Sequence, residues 1–132
     1  MEKSVTEAIN YRRSVRKFDP NKEIDSKIVK KCIENAVLAP TSSNLQLWEF
    51  FHITNKELLI KLSKTCFNQP AASTAKQIIV VVTRKDLWKK RANQNINFFD
   101  SKRDKLTKKQ YDLTRKYYNK AVPLVYKDFL GI

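Results

Sequence analysis

Apolar residues recur three or four positions apart along much of this chain, as they do in amphipathic helices. The clearest stripe predicts a helix that begins at Asp25 or Ser26 and ends before Pro40, because a residue preceding proline avoids helical geometry. The positions that this pattern turns inward are Ile28, Val29, Cys32, Ile33, Ala36 and Val37.

Polar residues mark where two further helices begin. Ser4 and Glu7 form the pattern of a capping box, in which each side chain accepts a hydrogen bond from a backbone amide, so a short helix is predicted through about Tyr11. Asn55 is placed to cap a third helix. The residues predicted to face inward in these two helices are Val5, Ala8, Ile9, Leu58, Leu59 and Leu62.

Two stretches have the residue types of β-strands. Residues 48–53 carry aromatic side chains suited to a half-buried strand, and residues 78–83 form a continuous run rich in β-branched residues. Such a run is typical of a strand that is covered on both faces. Helices around two or more strands predict an α+β fold.

The sequence after Arg84 is polar and is predicted to be mostly helical. Asp86 is placed to start one short helix, and Thr107 with Gln110 repeats the capping-box pattern at the start of a longer one. Pro123 is expected to kink or restart that helix, because proline lacks an amide donor. The candidate inward contacts are Tyr111, Tyr118, Ala121, Val122 and Val125.

Length and composition limit the class of protein. With 132 residues, of which 42% are hydrophobic, the chain predicts a single domain at 1–132 with material for a core. Two strands do not make a stable sheet alone, and the chain ends on the apolar run 129–132, so this domain is expected to be truncated at its C-terminus. No apolar run is long enough to span a membrane or to direct secretion, which predicts a cytoplasmic protein.

The formal net charge of +14 is compatible with a nucleic-acid partner, whose footprint would be the dense basic stretch from Arg84 to Lys109. Most lysines, however, are spread along predicted helical faces, and no nucleic-acid-binding motif accompanies the charge. A solvated basic surface is therefore the favoured interpretation.

Residue types that carry catalysis or bind metals are scarce. Cys32 and Cys66 are far apart and His52 is the only histidine, which argues against a structural zinc site. Cys32 is instead expected to be a buried, inert thiol on the second helix. The single glycine, Gly131, excludes a glycine-rich phosphate loop, so side chains would have to hold a phosphorylated ligand.

Two short stretches have the chemistry of a nucleotide-like cofactor site. Residues 12–18 place three arginines and a serine after the first helix, and guanidinium groups match phosphate oxygens. Residues 39–48 place hydroxyl and amide side chains, suited to the edge of a heterocycle, between a proline and a tryptophan. Each stretch alone is also explained by surface cations or turn residues, but together they predict a cofactor site.

In their order and spacing, these features resemble the nitroreductase family of flavin enzymes. The likeness rests on residues 12–18 after the first helix, residues 39–48 after the second, Asn68 and Gln69 after the third, and the apolar strand 78–83. It is strong up to that strand and weak in the helical remainder. Leu47 departs from the proline that the family usually has before the tryptophan.

The resemblance implies a layered α+β fold with a central, mostly antiparallel sheet flanked by helices, and a homodimer with FMN at the subunit interface. The residues implied to hold the FMN phosphate, the ribityl chain and the nearby pyrimidine edge are Arg12, Arg13, Ser14 and Arg16. The residues implied to approach the same flavin, with 40–44 contributed by the partner subunit, are Pro40, Thr41, Ser42, Asn44 and Gln46. The amide of Asn68 would meet the pyrimidine ring.

The activity implied by the resemblance is transfer of electrons from NAD(P)H through bound FMN to a nitroaromatic, a quinone or a similar acceptor. The cofactor carries such chemistry, so no catalytic side chain and no metal are expected. Family members continue well beyond this length, with a later segment that completes the flavin site. Two alternatives therefore stay open: a catalytically incomplete flavin-binding or dimerisation remnant, and a basic nucleic-acid-binding protein.

Overall fold

A computed structural model describes residues 3–127, so the apolar run 129–132 and Gly131 lie outside the described residues. The elements in chain order are α1 (Val5–Tyr11), α2 (Ser26–Ala36), β1 (Trp48–Ile53), α3 (Lys56–Thr65), α4 (Pro70–Ser73), β2 (Ile78–Thr83), α5 (Trp88–Asp100), α6 (Lys108–Lys116) and α7 (Val122–Tyr126). Single turns of 3-10 helix occupy Ser42–Asn44, Lys85–Leu87 and Arg103–Lys105, and a π-helical turn occupies Tyr117–Ala121. Within this part of the chain no helix is both long and apolar enough to cross a bilayer.

The α+β prediction is confirmed, with β1 and β2 paired in an antiparallel two-stranded sheet. The Arg84 amide donates to the carbonyl of Leu47, which continues the pairing by one step past the strand ends. Both predicted strands have the expected bounds, and the apolar run of β2 lies between the polar residues Gln77 and Arg84.

The prediction that β2 is covered on both faces is wrong for the described chain. Burial alternates along the strand, and Ile79 and Val81 are 42% and 60% exposed. A continuous apolar run shows that both faces are apolar, but it does not show what covers them. In residues 3–127 the side of β2 that carries these two residues is largely open.

The predicted helix caps are confirmed. The Ser4 hydroxyl accepts from the Glu7 amide while the Glu7 carboxylate accepts from the Ser4 amide at 2.7 Å, and this hydrogen bond holds the pKa of Glu7 below its ordinary value. Asn55 caps α3 through the Leu58 amide, and Thr107 forms the second capping box with Gln110. These caps were predictable because they involve only neighbours in sequence.

Several predicted inward faces are only partly covered. Along α2 and at Val37 just after it, Val29, Ile33 and Val37 are half-buried whereas Ile28 and Ala36 are exposed. The predicted burial of Cys32 is wrong, since this thiol is exposed. The helix α1 buries no residue. Leu59 is buried in α3 and Leu62 is half-buried, but Leu58 and Val125 are exposed.

The helical region after β2 differs from the predicted short helix. After the 3-10 turn that contains Asp86, the 13-residue helix α5 runs to Asp100. The helix that begins at the Thr107 cap does restart near Pro123, as predicted, through the π-helical turn that joins α6 to α7. Pro123 lies in the first turn of α7, where its missing amide costs no hydrogen bond.

The described chain divides into two compact units. The first comprises residues 3–26 and 51–80 and contains α1, α3 and α4. Within it, the Gln77 amide donates to the Ile24 carbonyl at 2.5 Å and its oxygen meets His52 Nε2 at 2.6 Å. This gives His52, the only histidine, a structural hydrogen bond.

The second unit comprises residues 27–50 and 81–127 and contains the main core. A loop residue, Leu45, lies at the centre of this core and is 1% exposed. The residues packed around it are Ala92 and Ile96 of α5, Tyr118 of the π-helical turn and Val122 of α7, with Leu47, Trp88, Phe99 and Tyr126 at the periphery.

Candidate functional site

The arginine-rich segment, residues 12–18, begins where α1 ends. Arg12 is the C-terminal cap, and Arg13 Nη1 turns back to donate to the carbonyls of Asn10 at 2.8 Å and Arg12 at 3.0 Å. These carbonyls lie at the helix end, where the last carbonyls lack helical partners and a cation is favourable. Arg13 is therefore partly engaged in holding the segment in place.

The other two arginines of the segment are available to a ligand. The side chains of Arg12, Arg16 and Ser14 are exposed, and within residues 3–127 they make no hydrogen bond or ion pair. The end of the segment is fixed, because the Phe18 amide donates to Thr74 Oγ1 at 2.9 Å. Two permanently charged forks thus lie on a short stretch tied down at both ends.

Asn68 lies in the same unit, in the turn between α3 and α4. Its backbone is left-handed, as is that of Phe67, and its amide N–H donates to the Ser63 carbonyl at 2.9 Å. Its side-chain oxygen lies 3.5 Å from the hydroxyl of the buried Ser63. Asn68 also lines a cavity of about 750 Å³, together with Ser63, Lys64 and Gln77 among others.

Residues 41–46 in the second unit, here called the hydroxyl-rich loop, have an unusual backbone. Ser43, Asn44 and Gln46 all have positive φ, near 50°, although none is glycine. The Gln46 amide donates to Thr41 Oγ1 at 3.1 Å, which closes the loop across its base. The left-handed region is disfavoured for residues with a Cβ atom, so other contacts must hold this conformation.

Three side chains distant in sequence provide those contacts. The Asn95 amide of α5 donates to the carbonyls of Ser43 at 3.2 Å and Asn44 at 3.1 Å. The Tyr118 hydroxyl donates to the same Ser43 carbonyl at 2.9 Å, and the Tyr117 hydroxyl lies 2.6 Å from Ser43 Oγ. No sequence pattern indicated these anchors, since each lies at least 51 residues along the chain from the loop residue that it contacts.

The loop exposes some predicted site residues and uses others internally. Pro40, Ser42 and Asn44 are exposed, whereas Thr41 and Gln46 are half-buried. The residues in the first unit are Arg12, Arg13, Ser14, Arg16 and Asn68, and those in the second are Pro40, Thr41, Ser42, Asn44 and Gln46. Five of the predicted site residues thus belong to each unit.

All five left-handed non-glycine residues of the described chain fall in these two segments. They are Ser43, Asn44 and Gln46 in the hydroxyl-rich loop and Phe67 and Asn68 in the turn after α3. Strained backbone of this kind tends to cluster at binding and active sites. The backbone therefore marks the hydroxyl-rich loop, which the side-chain chemistry also indicated, and the turn with Asn68, which the family resemblance indicated, but it does not mark residues 12–18.

Part of the basic stretch after β2 is neutralised within the second unit. Arg84 donates to Glu49 at 2.7 Å and to both carboxylate oxygens of Asp86 at 2.8 and 2.9 Å, which lowers the pKa of Asp86 and raises that of Arg84. Arg115 likewise pairs with Asp100 at 3.0 Å. These two arginines have intramolecular partners and so contribute less to a free positive surface.

A family model described as the nitroreductase family matches residues 9–122. Protein DrgA of Synechocystis is 36% identical over 84 residues, a match that covers 64% of this chain and 40% of that relative. The oxygen-insensitive NADPH nitroreductase of Helicobacter pylori is 33% identical over 78 residues, which is 58% of this chain and 37% of that relative. The chain thus matches less than half the length of these curated relatives.

Solved structures have the same fold. A nitroreductase-like protein from Streptococcus mutans superimposes with a TM-score of 0.72 and 23% identity, over 97% of this chain and 62% of that one. An Exiguobacterium sibiricum protein solved in complex with FMN superimposes with a TM-score of 0.61 and 26% identity, over 99% of this chain and 59% of that one.

Proposed function

Because this chain belongs to the nitroreductase family, we propose that it binds FMN and passes electrons from NAD(P)H to a nitroaromatic, a quinone or a similar acceptor. The observation that carries the proposal is that the guanidinium groups of Arg12 and Arg16 have no partner among residues 3–127, on a segment fixed at Arg13 and Phe18. The FMN in a structural relative and the NADPH in the name of a sequence relative support the choice of cofactor and electron donor.

The residues present fit this cofactor. Arg12 and Arg16 offer charged donors to a phosphate without losing a hydrogen bond or ion pair to another described residue, and the exposed Ser14 adds a hydroxyl. Asn68 would direct its amide to the pyrimidine ring. Ser42 and Asn44, whose side chains are exposed, would reach the flavin held by a partner copy of the chain.

When bound, FMN supplies the redox chemistry, since it accepts a hydride from NAD(P)H and returns electrons to the acceptor. The chain's own residues bind and orient the cofactor. Amide and guanidinium donors placed near its pyrimidine edge would favour negative charge there, and fixed donors are effective because they need no reorganisation. This role requires no protein nucleophile.

The proposal extends to a cytoplasmic homodimer in which residues 40–44 reach the flavin held by the partner copy. Large apolar side chains at the surface support an interface of this kind, because extensive exposed apolar surface usually marks an interaction site. Ile28 of α2 and Leu38 just after it are examples, with exposed fractions of 58% and 80%.

The test is FMN binding followed by NAD(P)H oxidation with a quinone or nitroaromatic acceptor. Replacing Arg12 and Arg16 together by alanine should weaken FMN binding by at least about a hundredfold, because charged hydrogen bonds to phosphate are lost, while helix content stays unchanged. The control, Lys89→Ala with Lys90→Ala, removes the same two charges from exposed positions of α5.

Each outcome has a separate meaning. Equal FMN affinity in the arginine variant and the control would show that the phosphate assignment is wrong. FMN binding without NAD(P)H oxidation would support a flavin-binding module instead of an enzyme. No FMN binding by the unchanged protein would refute the proposed function as a whole.

A further inference from the structure

The conformation of the loop at residues 41–46 depends on contacts from outside it. Three of its six residues, Ser43, Asn44 and Gln46, adopt left-handed backbone that a residue with a Cβ atom does not favour. The bond from the Gln46 amide to Thr41 closes the loop but does not itself favour positive φ. An isolated segment of this sequence would therefore populate other conformations.

Asn95 supplies the most specific of the external contacts. Its amide nitrogen, half-buried on α5, donates to two consecutive carbonyls of the loop, at 3.2 Å for Ser43 and 3.1 Å for Asn44. Two successive carbonyls can converge on one donor here because the backbone between them is left-handed at Asn44. The contact thus selects the conformation that the local preferences oppose.

The π-helical turn Tyr117–Ala121 supplies the remaining contacts. Its two consecutive tyrosines both reach Ser43, one at the side-chain oxygen and the other at the carbonyl, at 2.6 and 2.9 Å. Their rings meet edge to face with centroids 5.3 Å apart. Single π-helical turns are rare and recur at functional sites, where they re-aim side chains.

We propose that Asn95, Tyr117 and Tyr118 are positioning residues, which hold loop 41–46 in the conformation that presents Ser42 and Asn44 to the flavin. This inference rests on the proposed function for the identity of the ligand. If the anchors hold the binding-competent loop, weakening them lowers the populated fraction of that conformation, and the apparent dissociation constant rises by the same factor. None of the three needs to touch the cofactor.

The test compares two variants of Asn95, on α5, with one variant of Tyr118. Asn95→Ala removes the donor, Asn95→Asp keeps the shape but has no N–H to donate, and Tyr118→Phe removes one hydroxyl and keeps the ring. The matched control is Asn93→Ala, because Asn93 is an exposed residue of the same helix with no side-chain partner among the described residues. The first measurement is hydrogen exchange of the Asn44, Leu45 and Gln46 amides in flavin-free protein, relative to amides in α3.

Loop amides should exchange roughly tenfold faster in Asn95→Ala and Asn95→Asp, and several-fold faster in Tyr118→Phe, with α3 unchanged. If the anchors only stabilised the protein as a whole, amide exchange in the loop and in α3 would accelerate together. Exchange at the unchanged rate in Asn95→Asp and Tyr118→Phe, or equal acceleration in Asn93→Ala, would overturn the proposal, and these two mild variants decide it even if Asn95→Ala does not fold.

The second measurement is FMN affinity, which should fall by the same factor as loop protection. If the unchanged protein binds no FMN, the proposed function fails while the exchange experiment still decides whether the anchors position the loop. If FMN binds but its affinity is the same in all variants, the loop is anchored without serving the flavin, and the positioning proposal is refuted while the proposed function stands.

Discussion

Leu45 offers a direct test of how the hydroxyl-rich loop is joined to the core of the second unit. It is 1% exposed and packs against Ala92, Ile96, Tyr118 and Val122. Truncation to alanine removes three carbon atoms, which costs about 2.4 kcal/mol at roughly 0.8 kcal/mol for each buried group. A residual cavity of roughly 50 Å³ would add about 1.2 kcal/mol, so we expect a loss of about 3–4 kcal/mol.

The assay is urea unfolding followed by far-UV circular dichroism. With a slope near 2 kcal/mol per molar, the Leu45→Ala midpoint should fall by about 1.5–2 M at an unchanged slope. Leu113→Ala is the matched control, since the same truncation at a residue that is 65% exposed should shift the midpoint by less than about 0.3 M. Equal shifts in the two variants would refute the assignment of Leu45 to the core.

Three further predictions concern a helix cap, a tyrosine and the loop backbone. Ser4→Ala should speed exchange of the Glu7 amide about fivefold, because the hydroxyl that accepts its hydrogen bond is lost, with little change in global stability. Burial, and to a lesser degree the neighbouring Tyr117, raises the pKa of Tyr118 in the folded protein above its value in the unfolded chain. The stability that the neutral Tyr118 hydroxyl contributes is therefore complete below the unfolded-state pKa and is lost as pH rises through the folded-state pKa. Melting temperatures recorded above pH 9 should therefore fall less steeply with rising pH in Tyr118→Phe than in the unchanged protein, and parallel curves would show that Tyr118 is not the group responsible. Gln46→Gly should be about 1 kcal/mol more stable than Gln46→Ala in urea, because only glycine adopts the left-handed backbone freely, and equal stability would show that this position is not strained.

Features fixed by neighbours in sequence were predictable. Ser4 with Glu7 and Thr107 with Gln110 form the expected capping boxes, and both strands have the expected bounds. Each depends on residues a few positions apart, so side-chain chemistry alone determines the outcome. The candidate site segments could be named from the sequence for the same reason, since each is continuous in sequence, and their role in binding flavin stays a prediction.

Features fixed by distant contacts were not predictable. An apolar stripe shows that a face can be buried but not what covers it, which is why Cys32 and Ile79 were assigned to the interior and are exposed in the described chain. Nothing near Ser43 indicates that Asn95 will bind its carbonyl. The left-handed backbone of the loop could not be predicted either, because positive φ is expected at glycine and the loop contains no glycine.

The two candidate site segments differ in how the rest of the protein holds their backbone in place while their polar side chains stay exposed. The arginine-rich segment is fixed near its ends, by Arg13 at the helix terminus and by Phe18 at Thr74. Arg12 and Arg16 therefore have no partner in the described part of the chain, and no residue of this segment has positive φ. The hydroxyl-rich loop has left-handed backbone at residues that are not glycine, and hydrogen bonds from residues distant in sequence offset the resulting strain. Glycine would relieve the strain but would remove a hydrogen-bonding side chain at Asn44 or Gln46. A loop that must present such side chains from this backbone therefore needs external anchors, which ties its conformation to the packing of α5 and the π-helical turn.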